Sequence, residues 1–201
     1  MSAASGVPEA LRKTIPFLEA QQIPCVVIGG LAASLQGEPR FTDDVDIMVT
    51  VPSSRIREFA EAARAEGFTI DPELAHTQWL ASGFVRLWLG SEGSGTAIDL
   101  MACNSDFLKE VIWRAQHTRL FGLEVRIPTV EDLMLLKVSA WRQKDIVDLG
   151  RLALRHEGKL DREHLTRWAS WLAEQNDYFA EVSARLAALL DGQPLPPAVP
   201  D

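Results

Sequence analysis

Two aspartates separated by a single residue, Asp44 and Asp46, carry the clearest chemical signal in this sequence. The segment 45–51 alternates with a period of two and therefore predicts a β-strand at this pair. Residues two apart on a strand face the same side, so the carboxylates repel each other unless a cation lies between them. Oxygen ligands favour a hard cation, and the pair therefore predicts a site for Mg²⁺ or Mn²⁺.

A third aspartate, Asp99, lies in the apolar segment 96–102, which also predicts a strand. A lone carboxylate in an apolar strand is unfavourable without a partner. If this strand lies beside the strand of Asp44 and Asp46, three carboxylates converge. Such a cluster can hold two metal ions about 4 Å apart and support an in-line phosphoryl displacement.

Two consecutive glycines, Gly29 and Gly30, precede the acidic pair and are separated from it by the thirteen residues 31–43. They lie between a predicted strand over 25–28 and a predicted helix over 31–36. Backbone amides without side chains can approach phosphate groups closely, and the N-terminus of a helix favours negative charge. The glycines therefore predict a phosphate-binding turn.

Lys137 stands out because it shares the apolar stripe of a predicted helix. A lysine there either extends along the stripe to solvent or reaches a cleft, where it could contact a phosphate. Charged residues follow it at 142, 144, 145 and 148. Of these, Lys144 and Asp148 are four apart and can form an ordinary helical ion pair, so a structural role for this group stays open.

The composition argues against several classes of protein. Lys and Arg number 20 and Asp and Glu number 28, a net charge of −8, which disfavours a nonspecific DNA binder. No apolar run approaches the roughly 20 residues of a membrane helix, so we expect a cytoplasmic protein without membrane contact. Residues 101–170 are different, with 12 basic and 10 acidic side chains. We expect this segment to meet any phosphate-bearing partner.

The order of predicted elements indicates an α/β (α+β) fold. Helices are predicted over 8–21, with a kink or break at Pro16, and over 31–36, 53–66 and 105–115; strands are predicted over 25–28, 45–51, 68–70, 84–89, 96–102, 117–121 and 123–127. Helices follow over 130–142, 144–156, 161–174 and 176–190. We therefore expect a mixed β-sheet flanked by helices over 1–128, a C-terminal helical bundle over 129–190, and a disordered proline-rich tail over 191–201.

The order of Gly29-Gly30, Asp44-x-Asp46 and Asp99 resembles the nucleotidyltransferases of the DNA polymerase beta superfamily. The longer string, which includes Gly37, Arg40 and Thr42, resembles their AbiEii-like branch of abortive-infection toxins and its uncharacterised relatives. The segment 131–148 agrees with that branch, and the resemblance covers about residues 23–150.

This resemblance implies roles for particular residues. Asp44, Asp46 and Asp99 would hold the metal, Asp99 would be the base for the acceptor nucleophile, and Gly29 and Gly30 would hold the triphosphate. Lys137 would join the catalytic residues. The remaining nucleotide-binding candidates are Arg40, Thr42, Arg142, Lys144 and Asp145. Relatives often carry a basic residue two before the third acid, where this chain has Ala97, so that role is vacant or filled elsewhere.

The implied reaction is transfer of a nucleoside monophosphate from a nucleoside triphosphate (NTP) to an acceptor hydroxyl. The resemblance suggests a macromolecular acceptor, either RNA such as tRNA or a protein, and a toxin with a cognate antitoxin protein as its partner. One alternative is a small-molecule transferase of the antibiotic-modifying type, which the short helical part disfavours. Another is a nucleotide-binding module without turnover, which the retention of all three carboxylates disfavours.

Overall fold

The computed structural model describes residues 6–199, which form two compact units. The first unit contains residues 6–32 and 40–127, and the second contains residues 33–39 and 128–199. Residues 1–5 of the predicted first domain, and 200 and 201 of the predicted tail, lie outside the described residues.

The first unit is built on a mixed sheet flanked by helices, which confirms the predicted fold class. Its elements are α1 (Gly6–Ala20), β1 (Cys25–Val27), α2 (Gly29–Gln36, which continues into the second unit), β2 (Asp44–Val49), a 3-10 turn (Ser53–Arg55), α3 (Ile56–Ala65), α4 (Pro72–Ser82), β3 (Phe84–Leu89), β4 (Thr96–Ala102), α5 (Asp106–Arg114), β5 (Gln116–Leu120) and β6 (Leu123–Ile127). The strand order is β1-β2-β4-β3, with β2 and β4 parallel and both outer pairs antiparallel. Strands β5 and β6 form a separate antiparallel pair.

Two segments of this unit differ from the sequence prediction. Helix α4 occupies a stretch where no element was predicted, although Asp71 caps it through the amides of Glu73 and Leu74, and Gly83 ends it at φ 67°. The predicted strand over 68–70 is reduced to one bridge between Thr69 and Trp88. The sequence marks α4 only by its N-cap and by its C-terminal glycine. Few of its side chains are buried, so it has no broad apolar stripe that would predict a helix.

Of the kink or break expected at Pro16, the structure excludes the break, because helix α1 is continuous through this residue. Pro16 lies on the exposed side of α1, as does Arg12 four residues earlier. The Arg12 carbonyl, which loses its helical donor at a proline, can therefore bind water instead.

The second unit is helical, as predicted, with α6 (Val130–Ala140), α7 (Gln143–Arg155), α8 (Arg162–Ala173), a 3-10 turn (Asp177–Phe179) and α9 (Val182–Leu190). The predicted helix over 176–190 is thus divided into a turn and α9. Helix α6 packs against α7, α8 and α9 and is buried on most sides. In the following segment, the Pro197 carbonyl accepts a hydrogen bond from the Trp141 indole, and the Val199 amide donates one to the Trp141 carbonyl. Within residues 6–199, every helix is too short or too polar to cross a membrane.

Candidate active site

The parallel pairing of β2 with β4 brings the three predicted metal ligands together. Asp46 lies directly opposite Asp99 in the register of the two strands, and Asp44 lies opposite Ala97. One carboxylate oxygen from each of Asp44, Asp46 and Asp99 can be chosen so that all three lie within 4.8 Å of one another. Asp99 is buried, whereas Asp44 and Asp46 are half-buried. The expectation that these two strands are neighbours is therefore confirmed.

The glycine turn lies against this cluster. Gly29 has a φ of 62°, and a Cβ at this position would be 1.8 Å from Oδ2 of Asp46. A Cβ on Gly30 would be 2.8 Å from Oγ1 of Thr42 and 3.2 Å from a guanidinium nitrogen of Arg40. The backbone at the start of α2 can approach the Asp46 carboxylate and the side chains of Thr42 and Arg40 this closely only because both glycines lack side chains.

The loop between α2 and β2 holds two other predicted candidates. Thr42 Oγ1 donates a 2.6 Å hydrogen bond to Oδ1 of Asp44, which fixes one carboxylate of the cluster. The Arg40 guanidinium lies near Gly30 and also donates to the carbonyl of Phe41 at 3.1 Å. Both side chains therefore lie beside the glycine turn, and their role in binding a nucleotide stays a prediction.

Arg86, on β3, is a site residue that sequence reasoning missed. It lies opposite Asp99 in the β3–β4 register, with Nε 2.6 Å from Oδ1 and Nη2 2.7 Å from Oδ2. The hydrogen bond to Asp99 is the main cause that raises the pKa of the Arg86 guanidinium, and the charges of Asp99, Asp44 and Asp46 raise it further. Arg86 therefore places a positive charge beside the third aspartate of the cluster.

A signal for Arg86 was present in the sequence. It is the only Lys or Arg between Arg64 and Lys109. The segments 84–89 and 96–102 were predicted to form a hairpin around the turn 90–95, and counting outward from that turn places Arg86 opposite Asp99.

The remaining predicted candidates belong to the second unit, where Lys137 has two carboxylate partners. Its Nζ lies 3.1 Å from Oδ1 of Asp145 and 2.7 Å from Oδ2 of Asp148. Arg142 Nε donates to the other oxygen of Asp145 at 2.7 Å. Lys137 is 4% exposed, so it does not extend to solvent, whereas Lys144 is exposed. These ion pairs join α6 to α7, and a nucleotide-binding role for the group stays a prediction.

The chemistry of the donor set fits a divalent metal ion. Three carboxylates at this separation offer oxygen ligands of the kind that Mg²⁺ and Mn²⁺ prefer. The glycine turn beside them presents backbone to a phosphate rather than a side chain. A mixed sheet carrying an Asp-x-Asp pair, a third aspartate in register and an adjacent Gly-Gly turn defines a nucleotidyltransferase.

The comparison with protein families agrees with this class. Residues 8–186 match the family described as "Nucleotidyl transferase of unknown function (DUF2204)", and the chain belongs to this family. No curated protein gives a significant match.

The fold is shared with a solved structure of low sequence identity. ANT(2")-Ia in complex with adenylyl-2"-tobramycin is 18% identical with a TM-score of 0.51, covering 89% of this chain and 98% of that one. The lincosamide antibiotic adenylyltransferase LnuA, lincomycin-bound, is 16% identical with a TM-score of 0.49, covering 72% and 94%. An antigenic nucleotidyltransferase-like protein from Paracoccidioides brasiliensis is 15% identical with a TM-score of 0.44, covering 96% and 95%.

Proposed function

We propose that this nucleotidyltransferase moves a nucleoside monophosphate from an NTP to an acceptor hydroxyl at a metal site formed by Asp44, Asp46 and Asp99. The observation that carries the proposal is the convergence of these three carboxylates within 4.8 Å beside the Gly29-Gly30 turn. A bound Mg²⁺ or Mn²⁺ would neutralise the charge that develops between the attacking and leaving oxygens.

The glycine turn, Thr42 and Asp99 then each have a defined role in the reaction. The backbone at Gly29 and Gly30 binds the triphosphate at the N-terminus of α2. Thr42 holds Asp44 in place through its hydrogen bond. Asp99 accepts the proton of the acceptor hydroxyl as that oxygen attacks the α-phosphorus. The bond from the α-phosphorus to the bridging oxygen breaks, and pyrophosphate leaves.

The residues of the second unit are proposed as further nucleotide contacts. Lys144 is the best candidate among them, because its side chain is exposed and can reach a ligand. Lys137, Arg142 and Asp145 already form ion pairs with residues of their own unit. A nucleotide that reached them would have to share or replace those partners.

The transfer reaction is tested with α-labelled NTPs, Mg²⁺ or Mn²⁺, and acceptors supplied separately. We expect label on an acceptor with the wild type and none with Asp46→Asn. Asp106→Asn is a matched control, because Asp106 is exposed and pairs only locally with Lys109. Label on no acceptor, together with no binding of NTP in the presence of metal, would contradict the proposal.

The acceptor is proposed to be a macromolecule, RNA such as tRNA or a protein. The support is the excess of basic residues over 101–170. If RNA is the acceptor, raising the salt concentration should weaken its binding steeply, because several Lys and Arg would contact phosphates. Total RNA and total protein are therefore supplied as separate acceptors.

A small-molecule acceptor is the second candidate. The structure of ANT(2")-Ia, which has a similar fold, contains an adenylylated tobramycin. Labelling of an antibiotic with RNA and protein unlabelled would select this candidate and reject the macromolecular one.

We also propose that the chain belongs to the AbiEii-like branch and acts as a toxin. The support is the string from Gly29 to Asp46. Induced expression in a bacterial host should arrest growth, and Asp46→Asn should relieve the arrest. A cognate antitoxin protein should also relieve it. Normal growth with the wild type at high expression would contradict the toxin role.

A further inference from the structure

Three strands of the first unit place charged side chains in one row. Asp46 of β2 pairs with Asp99 of β4, and Asp99 pairs with Arg86 of β3. Side chains of directly opposed residues share a face of the sheet. The row therefore reads carboxylate, carboxylate, guanidinium, and Asp99 is its central member.

The neighbouring row shows what holds Arg86 in place. Trp88 is opposite Ala97 in the β3–β4 register. The guanidinium carbon of Arg86 lies 5.6 Å from the centre of the Trp88 ring. Arginine over an indole face is a favourable arrangement. The small side chain of Ala97 places no bulk beside this pair.

The hydrogen-bond geometry leaves part of Asp99 free to bind a cation. Arg86 donates one N–H to each oxygen, at 2.6 and 2.7 Å. Each carboxylate oxygen has two lone pairs, so one on each oxygen stays open for another partner. A divalent cation can thus bind Asp99 while Arg86 remains, but it then meets a positive charge close by.

We propose that Arg86 is a positioning residue that holds the Asp99 carboxylate in its plane and, through its charge, weakens the binding of a divalent cation to the cluster. The inference rests on the proposed function, because it concerns the same metal site. Arg86 does two separable things: the two-pronged geometry orients the proposed base, and the charge opposes the cation. A lysine would keep the charge and lose the geometry, whereas a methionine would lose both.

The experiment compares Arg86→Met, Arg86→Lys and the wild type for Mn²⁺ binding in the absence of NTP, by electron paramagnetic resonance or calorimetry. Arg86→Met should bind Mn²⁺ about tenfold more tightly than the wild type, which corresponds to about 1.4 kcal/mol. Arg86→Lys should bind Mn²⁺ within about twofold of the wild type. Arg57→Met is the matched control, because Arg57 forms an exposed 2.7 Å ion pair with Glu73, and it should leave Mn²⁺ binding unchanged.

Turnover separates the orienting role from a merely structural one. Both Arg86 variants should lower kcat about tenfold or more, with KM for NTP changed by less than about threefold. Loss of an ordinary strand contact would not produce this split together with tighter Mn²⁺ binding.

Two results would overturn the inference. The first is a folded Arg86→Met that binds Mn²⁺ with wild-type affinity. The second result, which applies if Arg86→Met does not fold, is a folded Arg86→Lys variant with the kcat of the wild type. Absence of Mn²⁺ binding by the wild type would instead reject the proposed function itself, and this inference with it. The two failures are thus distinguishable.

Discussion

Replacing Asp46 by Asn removes one negative charge from the carboxylate cluster without changing the shape of the side chain. Asp46 lies directly opposite Asp99, and one carboxylate oxygen from each of Asp44, Asp46 and Asp99 lies within 4.8 Å of the other two. The substitution therefore relieves repulsion, whereas the loss of a merely structural carboxylate would destabilise the fold.

The size of this relief follows from the separation. Two unit charges at the upper limit of 4.8 Å repel by about 1 kcal/mol in water and by about 3.5 kcal/mol at an effective dielectric constant of about 20. Asp46 is half-buried, so solvent screens part of this repulsion. We therefore expect the free energy of unfolding of the metal-free variant to be equal to that of the wild type or up to about 1 kcal/mol higher.

Asp99→Asn should behave differently in the metal-free protein. It also removes a repulsive charge, but it removes the negative partner of Arg86 and one of the two acceptors on a buried side chain, because the amide nitrogen of Asn cannot accept a hydrogen bond. Because the Arg86 side chain is 44% exposed, the lost pair is worth only about 1 kcal/mol. The order of metal-free stability should therefore be Asp46→Asn, then Asp99→Asn.

Thermal melts with and without Mn²⁺ plus NTP measure both effects. Ligands at about 100 times their dissociation constant stabilise the wild type by about 2.7 kcal/mol, which raises Tm by about 5–10 °C for a chain of this size. Both variants should lose this increase, whereas Asp106→Asn should keep it. The reasoning would be refuted by an Asp46→Asn protein that is less stable than the wild type without metal but keeps the full increase.

Three further substitutions follow from the geometry. Gly29→Ala should lower the free energy of unfolding by about 1–3 kcal/mol and abolish NTP binding, because its Cβ would lie 1.8 Å from an Asp46 oxygen; a wild-type melt and wild-type NTP affinity would contradict this. Lys137→Met should lower the free energy of unfolding by about 3–5 kcal/mol in chemical denaturation, because the buried carboxylates of Asp145 and Asp148 both lose the ammonium group between them; exposed Lys159→Met is the control, and equal stability of the two variants would be the contrary result. Burial raises the pKa of the Cys25 thiol to about 11, so the folded protein holds this proton more tightly than the unfolded chain. The contribution of this proton to the free energy of unfolding is fully present below about pH 9 and is lost as the pH rises towards 11. The wild type should therefore lose more stability over this interval than Cys25→Ser. Parallel curves of unfolding free energy against pH for the two proteins would contradict this prediction.

The cluster of acids could be predicted from the sequence, because local rules fix most of it. A spacing of two on a strand places Asp44 and Asp46 on one face whatever the rest of the fold. The nearness of Asp99 required only that two predicted strands be neighbours. The glycine turn was equally local, since it lies at a junction between a strand and a helix.

The partners of the charged residues need more than such local rules. The bond from Arg86 to Asp99 follows from the register of the β3–β4 hairpin, which counting outward from the turn 90–95 gives, but the pattern of neither strand alone marks it. The pairing of Lys137 with Asp145 and Asp148 depends on how α6 and α7 meet. The stripe on α6 predicted either solvent or a cleft for Lys137. The structure excludes exposure to solvent, and residues 8 and 11 positions later supply the counter-charges of this lysine.

The opposite face of the same strands explains why the register of the site is secure. Val45 and Ile47 of β2 pair with Ile98 and Leu100 of β4, and all four side chains are fully buried. A slip of one residue would move Asp99 onto this apolar face and turn Ile98 and Leu100 outward. Burying an unpaired carboxylate and exposing two large apolar side chains are both strongly unfavourable. The hydrophobic core on one side of the sheet therefore determines that Asp46 and Asp99 meet on the other. Substitutions that enlarge or shorten these core side chains should therefore alter metal binding even though the ligands themselves are unchanged.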